Sequence, residues 1–172
     1  IQGSGGRDWK IITTPDTAPT VTPDASIGRE ADGRFKQKYT ASDDYGVTKG
    51  QVSIALDLAS VDRRYGLSLD PETREPVVLD LALPVKGKRD AIKSTFVDDL
   101  SEHVFANLPV TLTYTVSDAA GQSGTAAPIA VTLPGRRFFD PLAAALIEMR
   151  RDLLWNRANA PRATQILKAI TY

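Results

Sequence analysis

Apolar and polar residues alternate along several short segments of the chain. In the segment 47–58, every second residue from Val52 to Leu58 is apolar, and a similar alternation runs from Phe35 to Ala41. A period of two predicts strands with one buried face. Turn-forming residues lie between such segments. The predicted strands cover residues 20–22, 35–41, 47–58, 77–83, 91–97, 110–116 and 129–133.

Two of these strands end in nearly the same sequence. Tyr39–Gly46 and Tyr114–Gly121 both read Tyr-Thr-x-Ser-Asp-x-x-Gly. Asp and Ser can accept hydrogen bonds from the local backbone, and Gly tolerates the positive φ of tight turns. The repeat therefore predicts two strand-to-turn corners. Neither half of the chain holds enough strands for a separate sandwich, so both corners are assigned to one domain.

These observations predict a mainly β fold: an immunoglobulin-like antiparallel β-sandwich of about seven strands. The sandwich is expected to span residues 15–134, with the repeated sequences at its B–C and F–G corners. The Gly-rich residues 1–14 are expected to form a flexible lead-in or the end of a preceding domain, with a short strand possible at 9–13. A further short strand is predicted at 65–69, and a helical turn within 98–108.

The pattern changes to a helical one after Pro134-Gly135. Asp140 is predicted to cap a helix that begins at Pro141, and a second helix is predicted from Asn159. One face of the first helix carries four apolar residues: Leu142, Leu146, Met149 and Leu153. Residues 135–172 are therefore expected to be the start of a longer helical region, in a chain excised from a larger protein.

Composition narrows the function classes. The absence of cysteine excludes disulfides, a thiolate nucleophile and cysteine-ligated zinc. Net charge is zero, but residues 134–172 carry seven Arg or Lys against three Asp or Glu. This positive excess is too small to indicate nucleic-acid binding. No apolar run reaches the length that a transmembrane helix requires.

The polar residues at the corners are the first candidates for chemistry. Asp43, Asp44 and Asp118 could bind calcium, which prefers hard oxygen ligands, but turn formation is the favoured interpretation. A glycosidase pair of carboxylates and a triad built on His103 lack any supporting motif. We therefore predict no catalytic residue, no cofactor and no metal ligand, with the three aspartates as the only metal candidates.

The first helix supplies the candidate interaction surface. Its apolar residues Leu142, Leu146, Met149 and Leu153, together with Arg150 and Arg157, are predicted to bind a protein partner or a second copy. The arginines could instead meet anionic lipid headgroups, or simply be solvated. A different possibility is a ligand-binding module for envelope glycan or calcium. The glycan form of this hypothesis predicts Tyr45 and Tyr65 exposed together.

Several segments resemble the family known as domain of unknown function 4175, large uncharacterised membrane proteins of alphaproteobacteria. The resemblance covers most of residues 5–160, and its most specific part is the segment Leu133–Leu142, the last of five. These segments are Gly5–Trp9, Ser42–Val47, Leu108–Thr113, Asp118–Gln122 and Leu133–Leu142.

The resemblance implies an address and a topology. Members have N-terminal transmembrane helices, then extracytoplasmic β domains, then a long helical region. The chain would then lie on the periplasmic face of the inner membrane, and it would meet the membrane only through helices of the parent protein. No activity or catalytic residue is established for the family. The expected function is a non-catalytic structural or protein-interaction scaffold.

Overall fold

The computed structural model describes residues 10 and 12–170. Within this part of the chain, nine strands precede two helices. The strands are β1 (Thr20–Pro23), β2 (Gly28–Arg29), β3 (Phe35–Ser42), β4 (Lys49–Leu56), β5 (Val77–Asp80), β6 (Ala91–Asp98), β7 (Pro109–Ser117), β8 (Ser123–Thr125) and β9 (Ile129–Thr132). The helices are α1 (Pro141–Trp155) and α2 (Ala160–Ile170), and short 3₁₀ helices cover Leu58–Ser60, Tyr65–Leu67 and Arg157–Asn159.

The first sheet is built around β3. Strand β6 pairs with it antiparallel along its whole length, from Phe35 opposite Asp98 to Ser42 opposite Ala91. On the other edge, β1 and β2 follow one another and pair with opposite ends of β3. This sheet is therefore three strands wide, although four strands contribute to it.

The second sheet is built around β4 and β7. These strands pair antiparallel from Lys49 opposite Ser117 to Leu56 opposite Val110. Strand β5 extends the sheet beyond β4, while β8 and β9 share the far edge of β7. The five strands of this sheet pack against the first sheet, which confirms a mainly β fold followed by C-terminal helices.

The seven predicted strands are confirmed, with shifts of a few residues at their ends. Strands β2 and β8 were not predicted, because two or three residues are too few to show a period of two. The strand predicted at 65–69 is wrong: this segment forms a 3₁₀ helix, and Tyr65 adopts a φ of 54°. The strand suggested for 9–13 lies partly outside the described residues, and Lys10, Ile12 and Thr13 have no regular structure.

The inward faces of the two sheets form one apolar core, with a polar pair at its centre. Phe35, Ile54 and Leu112 are completely buried there. Gln37 also points inward, so the apolar alternation of β3 is interrupted on its core side. Its Oε1 accepts a hydrogen bond from the Tyr114 hydroxyl at 2.7 Å, and its Nε2 donates to the Asp24 carbonyl at 2.7 Å. Both buried polar groups are therefore satisfied.

The start of α1 follows the predicted capping chemistry. The Asp140 side chain accepts a hydrogen bond from the Leu142 N–H at 2.8 Å, and Pro141 is the first residue of α1. In the segment 98–108, the predicted helical turn takes the form of successive hydrogen-bonded turns, such as His103 N–H to the Leu100 carbonyl. Neither helix of the described residues is long and apolar enough to cross a bilayer.

Candidate functional site

The C-terminal end of α1 packs against the loop that joins β4 to β5, residues 57–76 (the β4–β5 loop). Trp155 is only 1% exposed and packs with Val61, Leu67 and Leu108. Its indole Nε1 donates a hydrogen bond to the Leu69 carbonyl at 2.7 Å. A large aromatic side chain with its polar atom satisfied contributes strongly to packing. Trp155 therefore fixes α1 to the sandwich.

Hydrogen bonds across the same junction satisfy the carbonyls at the end of α1. The Glu72 N–H donates to the Trp155 carbonyl at 2.8 Å, and the Arg74 guanidinium donates to the Leu154 carbonyl at 2.7 Å. The buried Asn159 amide donates to the carbonyls of both Gly66 and Asp152 at 2.7 Å. The last carbonyls of a helix otherwise lack partners within the helix. The loop thus holds α1 in one position.

A buried carboxylate lies at the centre of this junction. Asp152 is 2% exposed, and its oxygens lie 3.6 Å from the Arg151 guanidinium and 3.7 Å from that of Arg162. Gly66 approaches so closely that a Cβ there would overlap the Asp152 carboxylate. This close approach explains the glycine. Arg162 also lies over the Tyr65 ring, 5.7 Å from its centroid.

The opposite side of α1 leaves apolar side chains exposed. Leu142, Leu146 and Leu153 are 46%, 48% and 36% exposed. Met149, predicted to share this surface, is instead buried at 4% exposure. It precedes Asp152 by three residues and so lies on the packed side of the helix. We call Leu142, Leu146, Arg150 and Leu153 the outer face of α1.

The two arginines of the predicted interaction surface are placed differently. Arg150 lies on the outer face and donates a hydrogen bond to the Glu102 carbonyl at 2.9 Å. Arg157 follows the end of α1, in a 3₁₀ helix, and its exposed guanidinium lies 3.5 Å from the Glu72 carboxylate. Phe139, which precedes the helix cap Asp140, is 94% exposed. It extends the apolar surface beyond the N-terminus of α1.

Two hollows border the outer face. A cavity of about 290 Å³ lies between α1 and the turns of residues 98–108, with Arg136 and Arg151 among its lining residues. A shallower hollow of about 280 Å³ is lined by Phe138, Ala143, Leu146, Ile147 and Arg150. Phe138, Ile147 and Arg150 belong to both hollows. We call the two together the α1 groove.

The repeated sequence motifs form corners with the predicted turn chemistry. Asp43 Oδ2 accepts hydrogen bonds from the N–H groups of Tyr45 and Gly46, at 3.1 and 2.6 Å. Asp118 Oδ1 accepts from the Gln122 N–H at 2.8 Å. Gly46 has the positive φ, 105°, that such a turn requires. The aspartates of both motifs are therefore structural in the turns that they begin.

The two corners meet at one end of the sandwich. The Thr48 hydroxyl donates to the carbonyls of Ser117 and Asp118, at 3.1 and 2.8 Å. Asp44 joins this end by accepting a hydrogen bond from the Thr17 hydroxyl at 3.0 Å. Asp16 belongs here too, because it interacts electrostatically with the other aspartates. We call Asp16, Asp43, Asp44 and Asp118 the acidic corner.

Three carboxylate oxygens of the acidic corner are buried without a hydrogen-bond partner. They are Oδ1 of Asp16, Oδ1 of Asp43 and Oδ2 of Asp118. Burial raises the pKa of Asp16, a hydrogen bond with the Gln122 side chain lowers it, and the nearby aspartates raise it further. Across residues 10 and 12–170, however, no group of three or more Asp, Glu or His side chains has an arrangement that could hold a metal ion.

The raised pKa predicts that Asp16→Asn stabilises the protein at neutral pH. The folded state holds the Asp16 proton more tightly than the unfolded state, so this carboxyl favours folding below its ordinary pKa of 3.8 and loses that effect as pH rises. Asparagine removes the repulsion that is present at neutral pH. We expect a higher Tm at about pH 7 and no gain at about pH 3.

Asp80→Asn is the matched control for this prediction, because Asp80 is exposed on β5, away from the acidic corner. It should leave Tm nearly unchanged at both pH values. An equal gain from Asp16→Asn at acidic and neutral pH would contradict the electrostatic explanation.

His103 and the exposed tyrosines complete the set of candidate residues. His103 Nδ1 accepts a hydrogen bond from the Phe105 N–H at 3.2 Å, and burial, followed by the Arg74 charge, lowers the His103 pKa. This histidine therefore stabilises its own turn. Tyr45 and Tyr65 are 68% and 73% exposed, but one precedes β4 and the other follows it. They lie at opposite ends of that strand and do not form a joint aromatic surface.

Comparison with known proteins places the chain in a family without assigning an activity. No curated protein matches it. The family Domain of unknown function (DUF4175) matches residues 1–172, which includes the sandwich, both corners and both helices. This match confirms the resemblance noted in segments such as Ser42–Val47 and Leu133–Leu142. The chain belongs to the DUF4175 family.

Proposed function

We propose that this chain is a non-catalytic periplasmic module of a membrane-anchored protein, and that it acts as a scaffold that binds a protein partner through α1. The single observation that carries the proposal is the division of α1 into two sides. Its inner side is fixed by Trp155 and the β4–β5 loop, whereas Leu142 and Leu146 on the outer face remain about half exposed. A contiguous exposed apolar surface of this kind typically marks an interaction site.

The non-catalytic part of the proposal is supported by the roles of the polar residues. Asp43 and Asp118 accept backbone hydrogen bonds within their turns, and His103 does the same in its own turn. The periplasmic location and the membrane anchor rest on what the family resemblance implies. The periplasmic location is tested below together with the interaction itself.

We also infer an immunoglobulin-like topology for the sandwich. Three features of the strand pairing support this assignment: β3 lies between β1 and β6, β4 pairs with β7, and the chain crosses between sheets at the Asp43 corner. The first repeated motif would then be the B–C corner, and the second would be the F–G corner. Superposition of an experimental structure on immunoglobulin domains would test the assignment.

Site-specific photo-crosslinking in cells tests the scaffold function. A photoreactive residue at position 146 of the protein as expressed in the cell should capture a defined protein. The same residue at position 85 is the control, because Val85 is 92% exposed but distant in sequence from α1. Absence of any adduct, or the same adducts from both positions, would contradict a partner-binding outer face.

Point variants are preferable to deletion of the helices for this experiment. Removal of residues 138–172 would also remove Trp155 and uncover Leu108 and Val61. Leu142→Asp and Leu146→Asp change only half-exposed positions. Crosslinking from position 142 should therefore be lost in the Leu146→Asp variant while the sandwich keeps its Tm.

A second candidate function is calcium binding at the acidic corner. The observation that favours it is the presence of three buried carboxylate oxygens without partners, two of them on the nine-tenths-buried Asp43 and Asp118. Such groups are costly unless an ion or water satisfies them. The side chains of the corner would have to rearrange to coordinate calcium, because no group of three or more carboxylates among the described residues has an arrangement that could hold a metal ion.

Calcium is expected to raise Tm if this second function is correct, because a ligand that binds only the folded state stabilises it. The measurement compares melting of the chain in calcium and in chelator. Asp118→Asn should abolish the shift, and Asp80→Asn should not. An identical Tm in calcium and chelator would remove the calcium function and leave the scaffold proposal unaffected.

A further inference from the structure

We propose that the α1 groove binds an acidic, amphipathic helix or peptide of the partner protein. This inference rests on the proposed scaffold function and specifies the chemistry of its partner. An apolar side chain of the partner would enter the hollow lined by Phe138, Leu146 and Ile147, and carboxylates would face Arg150 at its edge. Grooves that receive one face of a helix are a recurrent mode of peptide recognition.

The shape of the surface suits an apolar side chain of the partner. The hollow of about 280 Å³ is formed by Phe138 from the segment before α1 and by three residues of α1 itself, with Arg150 at its edge. Leu142 and Leu153 continue the apolar surface along the helix, and Phe139 extends it beyond the N-terminus. A concave apolar site accepts a protruding side chain better than a planar surface does.

The charged side chains of the segment that contains α1 are mostly positive. Residues 134–172 have four more positive than negative side chains. Of their three carboxylates, Asp152 is buried and Asp140 caps the helix, which leaves Glu148 as the one exposed carboxylate of α1. Glu102 and Glu148 line the 290 Å³ part of the groove, whereas the 280 Å³ part is lined by Arg150 and by no carboxylate.

Arg150 remains available for an acidic partner. Arg136 and Arg150 both contact Glu102. Arg136 forms a 2.9 Å ion pair with the Glu102 carboxylate, and Arg150 donates a hydrogen bond to the Glu102 backbone carbonyl. Among the ion pairs of the described residues, the Arg150 side chain has no paired carboxylate, whereas that of Arg136 is paired with Glu102. Guanidinium groups suit bidentate recognition of carboxylates.

Charge also distinguishes this partner from a second copy of the chain. The outer face carries Arg150 and no carboxylate, so two copies would bring arginine-bearing faces together. Like charges brought together at an interface disfavour association. A bilayer with anionic headgroups matches the charge, but it would leave the concave part of the groove unfilled. The groove shape therefore favours a helix or peptide.

Two synthetic amphipathic peptides of identical apolar sequence test the inference, one with glutamate and one with lysine at every polar position. We expect the purified chain to bind the glutamate peptide with an affinity that falls as salt increases. Arg150→Glu should weaken binding by about tenfold or more, and Leu146→Asp should do the same. The charge-matched control Lys93→Glu, at an exposed position of β6, should bind like the unchanged chain.

The possible results separate this inference from the scaffold function. Equal binding of both peptides, with loss in Leu146→Asp, would overturn the acidic partner and leave a protein-binding face. Binding to anionic phosphatidylglycerol vesicles but to neither peptide would overturn the helix or peptide in favour of a bilayer. No binding to either peptide would also overturn the inference. The scaffold function is tested separately, because it fails if position 146 gives no specific crosslink in cells. Tm measurements identify any variant that loses its fold.

Discussion

Replacement of Trp155 by alanine is expected to lower the free energy of unfolding by about 3–5 kcal/mol, the usual cost of removing a buried aromatic side chain. The side chain is 1% exposed, packs with Val61, Leu67 and Leu108, and donates a hydrogen bond to the Leu69 carbonyl. Alanine would leave a cavity and an unpaired carbonyl at the junction of α1 with the β4–β5 loop. Urea unfolding measures the loss.

Leu146→Ala is the control for this prediction, because it truncates an apolar side chain of the same helix at a half-exposed position. It should change the free energy of unfolding by no more than about 0.5 kcal/mol, as is usual for surface substitutions. Hydrogen exchange of the α1 amides adds a local measurement: exchange should accelerate in Trp155→Ala and not in Leu146→Ala. A Trp155→Ala variant as stable as Leu146→Ala would show that the junction does not hold α1.

Gly124→Ala is expected to have the second large effect, a loss of about 1–3 kcal/mol or more. A Cβ at this position of β8 would overlap the Pro19 carbonyl oxygen, and it would lie 2.8 Å from Pro19 C and 3.4 Å from Thr20 Cα. These are backbone atoms, which cannot rotate away. Either β8 or the start of β1 must shift, and the contact between the two sheets at this edge would be disturbed.

Gly28→Ala provides the matched glycine control, in the other short strand, β2. A Cβ there would meet Lys36 atoms at 3.6 Å, an ordinary contact, and Gly28 is not among the glycines with positive φ. Alanine should be neutral or stabilise by up to about 1 kcal/mol through the unfolded state. Equal destabilisation by the two substitutions would contradict the steric explanation.

The sequence predicted the parts of the fold that depend on local patterns. The alternation from Val52 onward marks β4, since one face of that strand packs on the core. The repeated Ser-Asp-x-x-Gly motif marks both corners because its hydrogen bonds close within four residues of each aspartate. Asp140 and Pro141 mark the start of α1 for the same reason.

The parts that were missed depend on contacts between distant segments. The packing of Trp155 on Leu69 joins residues far apart in the chain, and the β4–β5 loop has no periodicity that could indicate it. Met149 has the spacing of an outward residue, yet the packing of α1 buries it. Asp16 lies outside both corner motifs, and only the folded arrangement brings it to Asp43 and Asp118.

One measurement tests most directly whether the outer face of α1 is accessible in the purified chain and covered by a partner in the cell. The chain contains no cysteine, so Leu146→Cys and Val85→Cys each introduce one thiol into it. A membrane-impermeant maleimide should label both variants of the purified chain at similar rates, because both positions are exposed.

In cells with a permeabilised outer membrane, we predict that the cysteine at position 85 is labelled while that at position 146 is protected. Denaturation before labelling should restore reactivity at position 146. Labelling of both positions at equal rates in cells would contradict a partner-covered outer face. Failure to label position 85 before the inner membrane is broken would contradict the periplasmic location.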